Sequence, residues 1–177
     1  MKISAVIPTR GDVPVKELEA HLRGYEEIDE VLIIKGDTPS NRYIAAALAK
    51  NEVIFTQDDD CVTDLRPIID AYEPGVLVNA MTPEHAANYP GRQTLIGFGA
   101  LFDKTLIRCL DGWERDALFL RESDRIFATV NPHKTVFPSI DILPCAHAPN
   151  RLWKQPDHVA CRFQMERRIK ERTGINP

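Results

Sequence analysis

Residues 52–62 read EVIFTQDDDCV, a short hydrophobic run that leads straight into three acidic residues. Val53 to Thr56 are β-branched or aromatic and favour a strand. Asp58, Asp59 and Asp60 follow at once, and their adjacent negative charges repel one another. A strand that ends in three carboxylates loses stability unless other charges offset the repulsion. The stretch therefore predicts a strand end that meets a ligand or a cation.

Strands and helices alternate around this stretch. The predicted strands are residues 3–8, 30–34, 53–57 and 76–80. The predicted helices between them are residues 15–24, 41–50 and 65–72. Ser40 is expected to cap the second helix, and Thr63 or Asp64 the third. This rhythm predicts an α/β fold with a mostly parallel sheet flanked by helices. Ligands bind at the carboxyl ends of such strands, where the three aspartates lie.

The second half is less regular. Residues 81–93 are predicted as a Pro/Gly-rich loop that could act as a lid, and residues 96–102 as a strand with two glycines. The remaining predicted elements are helices at 103–110, 121–130 and 158–172 and strands at 135–137 and 140–145. We expect a single domain over residues 1–177, with a nucleotide-binding half (1–80) and an acceptor-side half (81–177).

Composition excludes several classes of protein. The net charge of −4 does not favour nucleic acid or an anionic membrane as a partner of the whole chain. The charge is uneven, because seven Lys and Arg residues stand against three acidic ones from Arg151 onward. No apolar run reaches membrane-spanning length, MKISAVIPTR lacks the apolar core of a signal peptide, and no C-x-x-C pair occurs. We therefore expect a cytoplasmic protein with reduced thiols.

The spacing of the aspartates suits a divalent cation. Carboxylates at positions i and i+2 after a strand can turn toward one ion, which makes Asp58 and Asp60 candidate metal ligands. Hard oxygen ligands favour Mg²⁺ or Mn²⁺, and the ion then bridges a diphosphate. The alternative is a solvated acidic loop that caps the next helix.

The stretch NRYIAAALAKNEVIFTQDDD, residues 41–60, resembles the family-2-type glycosyltransferases of the GT-A fold. In that family a helix with an early Arg leads to an A-x-G-E turn, a hydrophobic strand and an Asp-rich DxD motif. Arg42, the turn at 49–52 and Asp58 to Asp60 take these places. AVIPTRGD resembles the family's first strand, GFGALF its glycine-containing acceptor-side strand, and GWERDALFLRESD the stretch before its ED motif. The resemblance covers roughly residues 2–147.

The resemblance implies a compact, metal-dependent enzyme that moves a sugar, with inversion, from a nucleotide-diphosphate sugar to a hydroxyl group. A UDP-sugar is the first expectation for the donor, and Mn²⁺ or Mg²⁺ for the cofactor. The implied donor-binding residues are Pro8, Thr9, Arg10, Asp37, Arg42, Asp58 and Asp59, and Gly97 and Gly99 are implied on the acceptor side. Beyond the resemblance, residues 148–158 could close over the diphosphate, with Arg151 and Lys154 as further donor-binding candidates and Trp153 as an acceptor-side candidate. The alternative is a solvated loop anchored by Trp153.

Two departures from the family pattern leave details open. Lys35-Gly36 stands where the family has an acidic pair, with Asp37 displaced, so the nucleobase stays open. Glu122-Ser123-Asp124 replaces the ED pair. Glu122 is the first candidate for the catalytic base and Asp124 the second, since the transfer needs a carboxylate to accept the proton of the acceptor hydroxyl. At the start of the predicted helix both are also good helix caps.

A third metal ligand is implied after the late strand at 140–145, where His147 is the candidate and His158 the reserve. A zinc site is the competing interpretation, because four zinc-type ligands lie close in sequence: Cys145, His147, His158 and Cys161. Their C-x-H and H-x-x-C spacing is unusual for structural zinc.

The acceptor stays open at this stage. Compact relatives occur in phage genomes, so a hydroxylated base in DNA is one candidate, beside hydroxyls of protein, glycan or lipid. The basic C-terminal helix could contact a polyanionic acceptor or an anionic membrane. Two other functions remain. One is a toprim-type nuclease or primase, although such a fold needs a Glu where this chain has Pro8-Thr9-Arg10. The other is a catalytically inactive nucleotide-binding module.

Overall fold

A computed structural model describes residues 1–88, 95–149 and 151–177. Its strands are β1 (Ile3–Thr9), β2 (Ile28–Lys35), β3 (Val53–Thr56), β4 (Cys61–Thr63), β5 (Leu77–Ala80), β6 (Ala100–Asp103), β7 (His133–Val136) and β8 (Ile140–Ile142). Its α-helices are α1 (Lys16–Arg23), α2 (Asn41–Leu48), α3 (Arg66–Asp70), α4 (Pro83–Asn88), α5 (Ala117–Val130) and α6 (His158–Thr173). Short 3₁₀ segments cover Lys104–Leu110, Pro144–His147 and Leu152–Lys154.

Within the described residues, six strands form one mostly parallel sheet in the order β2-β1-β3-β6-β5-β7. β1 pairs in parallel with β2 and β3, and β5 pairs in parallel with β7. β6 alone among these strands runs antiparallel to its neighbours β3 and β5. The predicted mostly parallel sheet flanked by helices is confirmed. The carboxyl ends of β1, β2 and β3 meet at one edge, which places the three aspartates there.

Apolar side chains cover both faces of this sheet. On one face Val6, Ile54 and Phe102 pack with residues of α2, α5 and α6. On the other face Ile3, Ile7 and Phe55 pack with residues of α1 and α3. Burial of each such side chain contributes roughly 1.5–3 kcal/mol. Because β1 is buried on both faces, its sequence is a continuous apolar run rather than an alternating one.

A second, two-stranded antiparallel sheet follows the aspartates and was missed by the sequence prediction. β4 pairs with β8, which joins residues 61–63 to residues 140–142. Three residues are too few for a hydrophobic period, so Thr63 was interpreted as a helix cap instead. Thr63 is in β4, and the Asp64 carboxylate accepts a hydrogen bond from the Arg66 amide at 3.0 Å. This sheet carries the segment after β8 to the aspartates.

Several predicted boundaries were wrong. The strand β6 (Ala100–Asp103) begins four residues later than the predicted strand 96–102 and ends one residue later, because Gly97 lies in a turn and Gly99 has a φ of 131°. α4 occupies part of the predicted loop 81–93, whose residues 89–93 lie outside the described part of the chain. Ser40 precedes α2 as expected, but its hydroxyl lies 2.8 Å from that of Thr38 and caps no amide.

α5 begins four residues earlier than predicted. Asp116 is its N-cap, and the carboxylate accepts a hydrogen bond from the Phe119 amide at 2.8 Å. Glu122 and Asp124 are therefore not in the first turn, and the expected stabilisation by the helix N-terminus does not apply to them. Glu122 instead has a non-helical backbone, with φ −115° and ψ 18°, at a kink within α5.

Candidate active site

A cleft of about 830 Å³ opens at the carboxyl ends of β1, β2 and β3 and extends to α5 and α6. Most of the site residues predicted from sequence line it: Pro8, Thr9, Arg10, Asp37, Arg42, Asp58, Asp59, Asp60, Gly97, Glu122, Asp124, His147, Arg151, Trp153 and the reserve His158. Gly99 and Lys154 do not line it. Gly99 faces Phe55 in the core, and Lys154 lies on the Trp153 ring and donates to the carbonyl of His147.

Four carboxylates form what we call the acidic end of the cleft, namely those of Asp58, Asp59, Asp60 and Asp124. Arg42 of α2 is 2% exposed and bridges two of them. One guanidinium nitrogen donates to Asp58 at 2.6 Å and lies 3.3 Å from Asp124. The Tyr43 hydroxyl donates to Asp124 at 2.7 Å. Burial raises the pKa of Asp124, and Arg42 lowers it in part.

Asp59 and Asp60 share a second arginine. Asp59 accepts hydrogen bonds from the Thr9 hydroxyl at 2.7 Å and from Arg151 at 3.1 Å, which occupies both of its oxygens. The same Arg151 nitrogen lies 3.5 Å from Asp60. Burial and the neighbouring Asp58 carboxylate raise the pKa of Asp60 to about 6, although Arg151 opposes this. Two arginines thus offset four carboxylates only in part.

Gly97, one of the implied acceptor-side glycines, lies against Asp58. The Asp58 amide donates to the Gly97 carbonyl at 2.8 Å, which holds the two segments together. A Cβ atom at position 97 would lie 2.3 Å from a carboxylate oxygen of Asp58. A side chain at position 97 would therefore displace the Asp58 carboxylate, so glycine in this turn permits its observed position.

The loop after β2 forms another wall of the cleft through Gly36, Asp37, Thr38 and Pro39. The Gly36 amide donates to the Thr9 carbonyl at 2.9 Å, which ties the ends of β1 and β2 together. A Cβ atom at Gly36 would lie 1.8 Å from the Asn41 side chain, so the loop packs tightly on the start of α2. Arg10 also lines this wall and donates to the exposed Asp12 at 2.9 Å.

The opposite end of the cleft is basic. We call the group formed by Arg121, Arg125, Arg162 and His158 around Glu122 the basic end; all five side chains line the cleft. Glu122 is 5% exposed, with arginine nitrogens at 3.7 and 4.0 Å from its oxygens. Burial raises the pKa of Glu122, while the three arginines lower it in part. Burial and the same arginines lower the pKa of His158 to about 4, so this imidazole is neutral at pH 7.

Sequence reasoning missed Arg121 and Arg125, whereas Arg162 belongs to the basic C-terminal helix that was expected to contact a polyanionic partner. Two ion pairs join α5 to α6: Arg121 to Asp157 at 2.8 Å and Arg125 to Glu166 at 2.7 Å. The i,i+4 spacing of Arg121 and Arg125 places both on one face of a helix, a signal that was available. His85 and Phe98, whose rings lie 4.8 Å apart, also line the cleft and were not predicted.

The donor set of the acidic end fits a hard cation only in part. Among the described residues, no group of three or more His, Cys, Asp or Glu side chains is arranged to hold a metal ion. His147 is exposed and does not join Asp58 and Asp60 in such a group, and the four zinc-type residues are not gathered into one. Two carboxylates with a shortage of positive charge still suit Mg²⁺ or Mn²⁺, whose other ligands would then be phosphate and water oxygens.

No protein-family model matches the sequence, and no curated protein matches it. Solved structures do match the fold. The mannosyltransferase PcManGT from Pyrobaculum calidifontis, in complex with GDP-Man and Mn²⁺, has a TM-score of 0.63 at 12% identity, over 94% of this chain and 64% of that one. This chain thus spans slightly less than two thirds of that enzyme's length.

Two further structures are similar. A putative glucose-1-phosphate thymidylyltransferase from Bacillus anthracis has a TM-score of 0.52 at 11% identity, over 92% of this chain and 95% of that one. A197 from STIV has a TM-score of 0.52 at 15% identity, over 81% and 86%. At these identities the likeness shows the fold alone, which is the Rossmann-like α/β fold of nucleotide-sugar transferases. None of the helices in the described part is both long and apolar enough to cross a membrane.

Proposed function

We propose that this protein is a glycosyltransferase that moves a sugar from a nucleotide-diphosphate sugar to a hydroxyl acceptor. The observation that carries the proposal is the acidic end: carboxylates at the carboxyl end of β3, short of positive charge, inside a cleft of ligand size. Parallel α/β sheets bind ligands at this edge. The fold shared with nucleotide-sugar transferases supports the same function.

The cleft wall at the carboxyl ends of β1 and β2 suits the nucleotide part of the donor. The loop at 36–39 and Arg10 form a wall that would hold the base and ribose, and Asp37 in this wall would accept hydrogen bonds from them. Asp58 and Asp60 would hold Mg²⁺ or Mn²⁺. Such an ion would supply positive charge that stabilises the departing diphosphate. Asp59 keeps Arg151 at the same place, where its guanidinium stabilises negative charge on the leaving group.

For the catalytic base we favour Asp124 over Glu122. Asp124 shares Arg42 with Asp58, so it lies beside the proposed diphosphate site, and its side chain is 27% exposed toward solvent. Glu122 is 5% exposed and faces three arginines, which stabilise its ionised form and reduce its basicity. Asp124→Asn should lower kcat at least about 100-fold, whereas Glu122→Gln should change kcat by less than about tenfold. The opposite order would assign the base to Glu122.

Donor binding tests the proposal directly. Thermal unfolding is measured with GDP, UDP, dTDP and their sugars, with and without Mn²⁺, and donor hydrolysis is followed in parallel. We expect one nucleotide sugar to stabilise the protein only when Mn²⁺ is present. Asp60→Asn should abolish this effect, and Glu171→Gln, at an exposed position on α6, should not.

Three outcomes would contradict the proposal. One is that none of these nucleotides binds with either cation. A second is pyrophosphate release from a nucleoside triphosphate and a sugar phosphate, which would indicate a nucleotidyltransferase. The third is plasmid nicking without any donor, which would favour the nuclease.

A further inference from the structure

The basic end is a recess rather than a surface stripe. The Arg121 and Arg125 side chains are 17% and 10% exposed, and Glu122 between them is 5% exposed. α5 supplies these three residues, and α6 supplies His158 and Arg162 from the other side. Charge held at this depth is expensive, because the groups have lost most of their water. Such a cluster therefore calls for a partner.

Several polar atoms in the recess have no hydrogen-bond partner in the described part of the protein. They are Nε and Nη2 of Arg121, Nδ1 of His158 and one oxygen of Glu122, all fully buried. The third nitrogen of Arg121 is held by Asp157 at 2.8 Å, which fixes the direction of the guanidinium. Each buried polar atom without a partner costs about 1–3 kcal/mol. Arg121 is thus oriented, with Nε facing Glu122 at 3.7 Å and Nη2 left as a donor for a ligand.

The charges that line the recess favour an anion. Three guanidinium groups and one carboxylate line the recess, while Asp157 and Glu166, which pair with Arg121 and Arg125, lie outside its lining. A phosphate monoester carries about −1.5 to −2 at pH 7 and would face mainly positive groups in the lining of the recess. Guanidinium groups also present paired N–H donors that fit phosphate oxygens. A recess of this kind accepts a terminal group, whereas a continuous nucleic-acid backbone needs an open groove.

The position of the recess links it to the second substrate. Glu122 lies two residues from Asp124 on α5, so the basic end begins next to the proposed base. We propose that the basic end binds a terminal phosphate group of the acceptor. The acceptor would then be a phosphorylated small molecule or a lipid with a phosphate headgroup. The assignment of this phosphate to an acceptor rests on the proposed function; the phosphate site itself does not.

Calorimetric titration with inorganic phosphate and glycerol 3-phosphate tests the site. We expect Arg121→Gln and Arg162→Gln each to weaken binding at least tenfold. Arg167→Gln is the matched control on α6, because Arg167 is 75% exposed and paired with Glu171 at 3.8 Å. The phosphate affinity of this variant should equal that of the wild type. Circular dichroism checks that each variant folds. If Arg121→Gln does not fold, the phosphate affinities of Arg162→Gln and Arg121→Lys test the site instead.

Two experiments distinguish a soluble phosphorylated acceptor from a lipid with a phosphate headgroup. Binding of glycerol 3-phosphate alone indicates a soluble acceptor. Sedimentation with phosphatidic acid vesicles but not phosphatidylcholine vesicles, lost in Arg121→Gln and kept in Arg167→Gln, indicates a lipid headgroup. Both outcomes support the site.

The proposal is overturned if phosphate affinity is unchanged in both glutamine variants or falls equally in Arg167→Gln. It is also overturned if Arg121→Gln weakens GDP or UDP binding as much as phosphate binding, or if a DNA duplex binds there in place of the monoester. Failure of the proposed function looks different: the wild type would bind phosphate with the expected variant pattern but no nucleotide sugar.

Discussion

The acidic and basic ends of the cleft bury charge in opposite ways. At the acidic end each of two arginines is shared by two carboxylates, Arg42 by Asp58 and Asp124 and Arg151 by Asp59 and Asp60. At the basic end three arginines and one buried carboxylate, that of Glu122, line the cleft, while the partners Asp157 and Glu166 lie outside the lining. One end therefore lacks positive charge and the other lacks negative charge. Such a cleft suits a cation with a diphosphate at one end and an anionic group at the other.

The two ends also differ in how they are built. The acidic end lies on loops after strands, and sheet pairing fixes the backbone of those loops. The basic end lies on two helices joined by ion pairs between α5 and α6. Loss of a shared arginine at the acidic end should accordingly destabilise the protein more than loss of an outer ion pair at the basic end.

The largest effect is expected for Arg42→Met. The substitution leaves Asp58 and Asp124 without their shared buried cation, which should lower the free energy of unfolding by about 3 kcal/mol. Urea denaturation at pH 7.5 measures it. Arg23→Gln is the control, because its pair with Glu19 is exposed and should contribute less than about 0.5 kcal/mol. A loss below 1 kcal/mol for Arg42→Met would show that the two ends do not differ in this way.

A smaller effect of opposite sign is expected for Asp60→Asn. Because the pKa of Asp60 is raised from 3.8 to about 6, the native state binds this proton more tightly than the unfolded chain. Wild-type stability should therefore fall as pH rises from about 4 to about 6. Without divalent cations, the variant should be more stable at pH 7.5 by about 1–2 kcal/mol and equal to the wild type near pH 4. Thermal unfolding at the two pH values measures this.

Asp116→Asn provides the matched comparison for the Asp60 substitution. A hydrogen bond from Arg168 lowers the pKa of Asp116, so its contribution is present above pH 4 and is lost on acidification. Asn also caps helices well, which isolates the charge effect. This variant should be slightly less stable than the wild type at pH 7.5. If both substitutions changed the stability at pH 7.5 in the same direction, the shortage of positive charge at the acidic end would be contradicted.

The smallest effect is expected for Glu166→Gln at the basic end. The substitution breaks the pair with Arg125, at 2.7 Å, and should cost about 0.5–1 kcal/mol of stability. It also removes a negative charge behind the recess, so phosphate affinity should rise by about two- to fivefold at low salt and less at 0.5 M salt. Glu171→Gln should change neither quantity. A fall in phosphate affinity would place the anion elsewhere.

Local patterns predicted much of the fold. The apolar run of β1, the helix that carries Arg42 and the run from Val53 to Asp60 each show their structure within about ten residues of sequence. The antiparallel direction of β6 was not visible, because a short apolar strand has the same sequence whichever way it pairs. β4 was missed since its partner β8 lies almost eighty residues later.

The candidate site also has a part that local sequence showed and a part that depends on contacts between distant residues. The acidic residues and Arg42 were predicted because they lie in one continuous motif. The sequence did not show that Arg121 and Arg125 join Glu122, His158 and Arg162 in one group, since this depends on α5 and α6 packing together and on pairs such as Arg121 with Asp157, 36 residues apart. The expected position of Glu122 in a first helical turn was wrong because Asp116, not a later residue, caps α5.

By itself, the sequence determined the alternation of strands and helices and the placement of three aspartates at a strand end. Both follow from hydrophobic period and propensity, which act between near neighbours. Only the tertiary structure decided which charges compensate those aspartates. Arg151 reaches Asp59 across 92 residues, and electrostatic energy depends on distance in space and on burial, which the chain acquires only when it folds.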